Sequence, residues 1–224
     1  MSLLVKICGL STRETLDVAL DSGADMVGFV FFPPSPRHLF LEKARELGRA
    51  AKGRATKVAL TVDADDATLE NIIDALHPDI LQVHGKETTA RVRDIKQKFG
   101  LPVMKALPVE TSADLANLPG YAAVADRILF DARAPRDATR PGGLHAGNVA
   151  EAIRVTRAGG VDVSSGVERT PGVKDPDMIR DFIRAARATQ LSSTLTAYGE
   201  KSDRISDPGE GASPRPQLST NLRR

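Results

Sequence analysis

Leu3-Leu4-Val5-Lys6-Ile7-Cys8-Gly9-Leu10-Ser11 is the stretch that decides the fold. It is a short apolar run with Lys6 and Cys8 at alternate positions, and side chains two apart on a β-strand share a face. An open nucleotide-binding sheet would follow its first strand with a glycine-rich phosphate turn. Cys8-Gly9-Leu10-Ser11 is not such a turn. A closed barrel of parallel strands accounts better for polar groups on one strand face, because its interior leads to a site at the strands' C-terminal ends.

The rest of the chain repeats this pattern. Strand-like runs recur at residues 26–32, 57–62, 80–84, 103–107, 127–131 and 161–164, separated by stretches with apolar residues at helical spacing. Leu69, Ile72, Ile73 and Leu76 form one helical stripe, and Met178, Ile179, Phe182 and Ile183 another. Ser11 with Glu14 reads as a capping box, and Asp175-Pro176 as an N-cap followed by proline at the first helical position. Thr111 or Ser112 opens a further helical stretch. Strands alternating with helices imply a parallel sheet. Gln82 and His84 share one strand face, Asp162 and Ser164 another, Asp131 ends its strand, and Lys105 lies between Val103 and Leu107. Frayed strand ends in solvent are the alternative explanation for these polar positions.

With 224 residues the chain is long enough for one sizeable core. Its net charge of +2 gives no electrostatic reason to expect nucleic acid or an acidic membrane surface as partner. No apolar run approaches the ~20 residues that span a bilayer, and no basic-then-apolar leader precedes the first strand. A lone cysteine forms no internal disulfide, which suits a reducing cytoplasm. His38, His77, His84 and His145 are dispersed and lack zinc-ligand spacing, so no metal is expected. Residues 1–189 are expected to form one barrel domain. From Gln190 onward Ser, Thr, Pro, Gly and charges dominate without periodicity, so 190–224 are expected to be a disordered tail.

Several segments, in this order, closely resemble the phosphoribosylanthranilate isomerase family: Lys6-Ile7-Cys8-Gly9-Leu10, Gly28-Phe29-Val30-Phe31, Ser35-Pro36-Arg37, Gln82-Val83-His84-Gly85, Phe130-Asp131, Val161-Asp162-Val163-Ser164-Ser165-Gly166-Val167-Glu168 and Pro171-Gly172-Val173-Lys174-Asp175. The resemblance implies a (β/α)8 barrel and a cofactor-free Amadori rearrangement of a phosphoribosylamine. By resemblance Cys8 is the general base and Asp131 the general acid. A free thiol has a pKa of roughly 8.5 and an aspartic acid roughly 3.9. The site must therefore favour the thiolate, with Lys6 as candidate positive neighbour, and keep the carboxyl protonated by burial. Without the motif, Cys8 would read as a small packed residue, and Asp131 as a helix cap or an ion-pair partner of Lys6 or Lys105.

Arg37 resembles the residue that holds the anthranilate carboxylate, while His84 and Asp162 are expected to orient the substrate. Backbone N–H groups of Gly142, Gly143, Ser165 and Gly166 are expected to cradle its phosphate. One departure stands out. After Asp131 the family runs through a loop, a helix and a further strand, whereas here Pro141-Gly142-Gly143-Leu144 passes straight into Gly147-Asn148-Val149. About 20–30 residues, close to one βα unit of a ~250-residue barrel, are absent between Asp131 and Gly147. Two other functions fit the same features: a non-catalytic remnant that binds a phosphorylated ligand, and an indole-glycerol-phosphate synthase-like barrel. Lys-Ile-Cys-Gly argues against the latter, whose chemistry leans on Lys and Glu.

Overall fold

A computed structural model of the protein describes residues 2–132 and 143–202, with side-chain surroundings as far as Gln190. The chain divides into two compact units, residues 1–190 and 191–224. In the first unit the strands are β1 (Leu4–Cys8), β2 (Met26–Phe31), β3 (Thr56–Thr61), β4 (Ile80–Val83), β5 (Val103–Val109), β6 (Arg127–Ala132) and β7 (Gly160–Val163). Between them run α1 (Arg13–Asp21), α2 (Leu41–Ala51), α3 (Asp66–Leu76), α4 (Thr89–Phe99), α5 (Leu118–Ala122) and α6 (Val149–Thr156). A hairpin of β8 (Glu168–Thr170) and β9 (Val173–Lys174) precedes α7 (Pro176–Ser202). All seven apolar runs form strands, within two residues of the expected ends.

Local chemistry explains most helix starts, with one correction. Thr12, rather than Ser11, caps α1 by accepting from the Thr15 N–H. The helix begins one residue later than the Ser11–Glu14 spacing suggests, so no capping box forms there. Asp175 caps α7, its carboxylate accepting from the N–H groups of Asp177 and Met178 at 2.8 and 3.0 Å. Thr111 precedes the 3-10 turn Ser112–Asn117, and its N–H donates to Asp114 at 2.8 Å. The buried stripe of α7 is Ile179, Phe182, Ile183 and Ala186, while Met178 is exposed. A stripe at i, i+3, i+4 and i+7 faces the sheet, which leaves position 178 outside it. This helix continues past Gln190 to Ser202; residues 203–224 lie outside the described structure.

The seven parallel strands follow the order β6-β5-β4-β3-β2-β1-β7. Ladder register settles which side chains share a face: Lys6 is level with Met26 and Asp162, Gln82 with Leu60 and Met104, and Asp131 with Pro108. The sheet curls into a half-barrel, and its inward apolar layer runs from β1 to β6. Met26, Val58, Ile80 and Met104 pack with Leu4 of β1 and with Leu129 of β6, strands that stand five places apart in the sheet. The opposite face carries the main core under the helices, including Val5, Ile7, Phe29, Leu81 and Phe182.

Lys105 belongs to that outer face, contrary to the expectation that it lines the interior. It alternates with Val103 and Leu107 there, and its ammonium, 2% exposed, pairs with Glu87 at 2.7 Å.

The arc does not close. Among the described residues nothing pairs with the free edge of β6 or of β7, and these are the strands that flank the shortened connection. Phe130 on β6 is 54% exposed, Val155 on α6 is 64% exposed, and α6 buries only Val149. An extra strand and helix would cover such apolar surface and pair the open edges.

Candidate active site

The concave face gathers the polar side chains at the C-terminal ends of the strands. Cys8 ends β1, is 2% exposed, and packs against Val30 and Leu60. Gly28, its ladder neighbour, leaves room for it: a Cβ there would lie 2.9 Å from the thiol sulfur and 3.1 Å from the Lys6 ammonium. That ammonium, itself buried, donates to Asp162 Oδ1 across the β1–β7 ladder at 2.9 Å. On the other side of the arc His84 Nε2 lies 3.2 Å from Asp131 Oδ2, bridging over β5. Gln82, two residues before His84, is fully buried, and both atoms of its amide lack a protein hydrogen-bond partner. Buried amides are normally satisfied, and register alone gave Gln82 as inward without marking it as unpaired.

Burial pushes the Cys8 thiol above its ordinary pKa, and the negative charge of Asp162 adds to this, while the Lys6 and Lys174 ammonium groups pull it back down. Lys6 thus acts on Cys8 in the expected direction, but desolvation wins. For Lys6 the balance is reversed: burial disfavours its charge, yet Asp162 and Cys8 outweigh burial and hold the ammonium protonated. Replacing Lys6 with methionine removes a group that lowers the thiol pKa, so less thiolate forms at any given pH. The alkaline limb of thiol alkylation is then expected to move to higher pH. An unchanged limb would remove Lys6 from the site's electrostatics.

Arg37 arrives from the loop between β2 and α2, and its stem crosses directly over Gly9. A Cβ at Gly9, whose φ is +80°, would lie 2.7 Å from Arg37 Cδ and 3.3 Å from Ser164 Oγ. Arg37 therefore reaches the turn that follows Cys8. Its Nε and Nη2 donate to the two oxygens of Glu168, each at 2.7 Å. Lys174, 1% exposed, donates to Glu168 Oε1 at 2.7 Å and to the Ser164 carbonyl at 2.8 Å. Burial works against the Glu168 charge, but Arg37, Lys174 and the Gly172 N–H together hold the carboxyl below its usual range. Neither Glu168 nor Lys174 was assigned a role from sequence. The one available signal was a Glu and a Lys at the two ends of a short turn containing Pro171-Gly172.

The expected phosphate elements come together in part. A Cβ at Gly143 would lie 3.9 Å from Ser165 Oγ, and one at Gly166 would collide with the Leu144 carbonyl. The Gly143–Leu144 backbone thus lies against Ser165–Gly166. Gly142 lies outside the described residues.

The sequence model for N-(5'phosphoribosyl)anthranilate (PRA) isomerase matches residues 5–139 and 139–185. N-(5'-phosphoribosyl)anthranilate isomerase of Bradyrhizobium diazoefficiens is 73% identical over 217 residues, covering 86% of this chain and 97% of the relative. The Nitrobacter hamburgensis protein of that name is 66% identical over 216 residues, covering 86% of this chain and 96% of its own.

The chain belongs to the PRA isomerase family.

Solved PRA isomerases share its fold. The Thermotoga maritima structure has a TM-score of 0.76 at 31% identity, covering 83% of this chain and 99% of that one. Another, in complex with reduced 1-(o-carboxyphenylamino)-1-deoxyribulose 5-phosphate, has a TM-score of 0.75 at 34% identity, with the same coverage. The match to the PRA isomerase model breaks at residue 139, inside the shortened connection between Asp131 and Gly147.

One expectation drawn from PRA isomerases needs correcting. Asp131 was expected to be buried, but its side chain is 48% exposed. It stands on β6, whose free edge has no neighbouring strand among the described residues, so no described strand shields the carboxyl on that side. Neither lysine pairs with it: Lys6 pairs with Asp162 and Lys105 with Glu87, while His84 Nε2 lies 3.2 Å from Asp131. Among the described residues no group of His, Cys, Asp and Glu could hold a metal ion, and no helix is long and apolar enough to cross a membrane.

Proposed function

We propose that this chain converts N-(5'-phosphoribosyl)anthranilate to 1-(2-carboxyphenylamino)-1-deoxyribulose 5-phosphate, the isomerisation step of tryptophan biosynthesis. The observation that carries this is the placement of Cys8 and of the His84–Asp131 pair on one concave face at the strands' C-terminal ends. Asp131 donates a proton to the furanose ring oxygen as the bond from that oxygen to C1′ breaks, giving an open-chain iminium. The Cys8 thiolate then removes the C2′ proton. The electron pair left behind forms the C1′–C2′ double bond and neutralises the iminium nitrogen. The enolamine tautomerises to the ketone as C1′ takes up a proton and the C2′ hydroxyl gives one up.

General acid–base groups of this kind contribute about 10²–10⁴ each when positioned within hydrogen-bond reach of the proton they move. His84 stands behind Asp131 as its orienting partner. The Lys6–Asp162 pair borders the thiol on the other side of the arc. Arg37 takes the anthranilate carboxylate, and the N–H groups around Gly143, Ser165 and Gly166 take the phosphate, glycines allowing the backbone close approach to an anion. A small phosphorylated substrate is the only partner this reading requires.

The half-exposed carboxyl on an open edge favours a second reading, a barrel that binds the phosphosugar without turning it over. Loss of anthranilate-type fluorescence when the purified chain meets freshly generated phosphoribosylanthranilate separates the two. Turnover that disappears in Asp131→Asn supports the isomerase. A folded sample that binds the reduced product analogue without turnover establishes the binding protein instead.

A further inference from the structure

We infer that Glu168 is a positioning residue that selects which edge of the Arg37 guanidinium is offered to the substrate's carboxylate. A guanidinium has two edges able to hold a carboxylate with two parallel N–H bonds: the side edge, Nε with Nη2, and the end edge, Nη1 with Nη2. Glu168 occupies the side edge with both oxygens at 2.7 Å. The end edge is left with both hydrogens of Nη1 and the second hydrogen of Nη2, and no described residue takes it. The inference rests on the reading that Arg37 takes the anthranilate carboxylate, and adds which group aims it.

The surroundings of Glu168 suit this task and no direct contact with substrate. Oε1 accepts from Arg37 and Lys174, and Oε2 from Arg37 and the Gly172 N–H at 3.2 Å. Four donors fill the accepting directions of one carboxylate, and its side chain is 3% exposed. The arrangement is also locked from outside. Lys174 is anchored to the Ser164 carbonyl at the end of β7, so the aiming group is tied to the strand that carries Asp162. Gly172, with φ +85°, presses against the Pro36 carbonyl where any Cβ would collide, which fixes the Arg37 loop against the hairpin. The stem over Gly9 then leaves the guanidinium little freedom except rotation about its last bonds, and Glu168 removes that. Aiming a long, rotamer-rich side chain before binding lowers the ordering cost that binding would otherwise carry.

The test is a ratio of affinities, measured by isothermal titration on the full chain. The probes are reduced 1-(2-carboxyphenylamino)-1-deoxyribulose 5-phosphate and its phenylamino analogue without the carboxylate. The wild-type chain is expected to prefer the first by tenfold or more, as about 1.5–3 kcal/mol for charged hydrogen bonds implies. Arg37→Ala should abolish the preference, and Glu168→Gln should cut it about tenfold while leaving affinity for the second probe unchanged. A structural defect would weaken both probes alike. Should Glu168→Gln fail to fold, Glu168→Asp keeps the charge but shortens the reach, and the same ratio is expected to fall. If Glu168→Gln keeps the full preference while Arg37→Ala loses it, the aiming role is overturned and the Arg37 reading stands. If the wild-type chain shows no preference, the carboxylate subsite falls and the aiming role with it.

Discussion

Replacing Cys8 with alanine is expected to lower kcat/KM for phosphoribosylanthranilate by about 10²–10⁴, the usual contribution of a positioned general base. Stability should change little in comparison. The thiol is buried against Val30 and Leu60, so the change removes one sulfur atom's volume from an apolar layer, costing about 1 kcal/mol. For a chain of this size that is a thermal shift of roughly 2–4 °C. Cys8→Ser tests the chemistry separately from the volume, because a hydroxyl fills similar space but is far harder to deprotonate. Both variants should therefore be folded and nearly inactive. Burial holds the wild-type thiol above its ordinary pKa, so the thiolate population grows as pH rises. Wild-type kcat/KM should accordingly climb with pH on the alkaline side, and that climb should vanish in Cys8→Ala. An alanine variant with activity within threefold of wild type would sink the base assignment.

Inserting at residue 139 the segment of the Bradyrhizobium diazoefficiens relative that faces the break is the second large expected effect. The alignment with that relative covers 217 residues but draws on only 86% of this 224-residue chain, so some of the relative's residues have no counterpart here. A restored βα unit should pair the free edges of β6 and β7 and cover Phe130 and Val155, now 54% and 64% exposed. Burying two such side chains from half exposure stabilises by about 2–3 kcal/mol, or roughly 4–12 °C in thermal midpoint. Amide hydrogens of Arg127–Ala132 and Gly160–Val163 should exchange more slowly in the graft than in the parent. Activity should rise as well. Asp131 sits on one open edge strand and Asp162 on the other, and a misplacement of ~1 Å can cost about a hundredfold in rate. A graft with unchanged midpoint and exchange would mean that the open edges are already satisfied in the parent chain.

The βα alternation and the strand faces were legible because both follow from local periodicity. Lys6, Cys8, Gln82, His84, Asp131 and Asp162 all turned inward as a two-residue repeat requires. Lys105 broke the pattern of expectation while obeying the same repeat: it alternates with Val103 and Leu107, and only the layer beneath those residues decides which side is inside. The capping of α7 by Asp175 was equally local, whereas Thr12 displaced Ser11 as the cap of α1 by a single-residue shift that propensity does not resolve.

Local sequence alone therefore carried the kind of structure and which polar side chains share the inward strand face. Strand parity, helix starts and the ordered motifs each depend on residues a few positions apart. What tertiary structure alone decided is pairing and exposure. Lys6 meets Asp162 across 156 positions, Arg37 meets Glu168 across 131, and His84 meets Asp131 across 47. Such partners are set by which strands become neighbours and by how the sheet curls, and no local period encodes either. The exposure of Asp131 has the same origin. A carboxyl at the end of a strand is buried or wet according to whether another strand lies beside it, and here none among the described residues does.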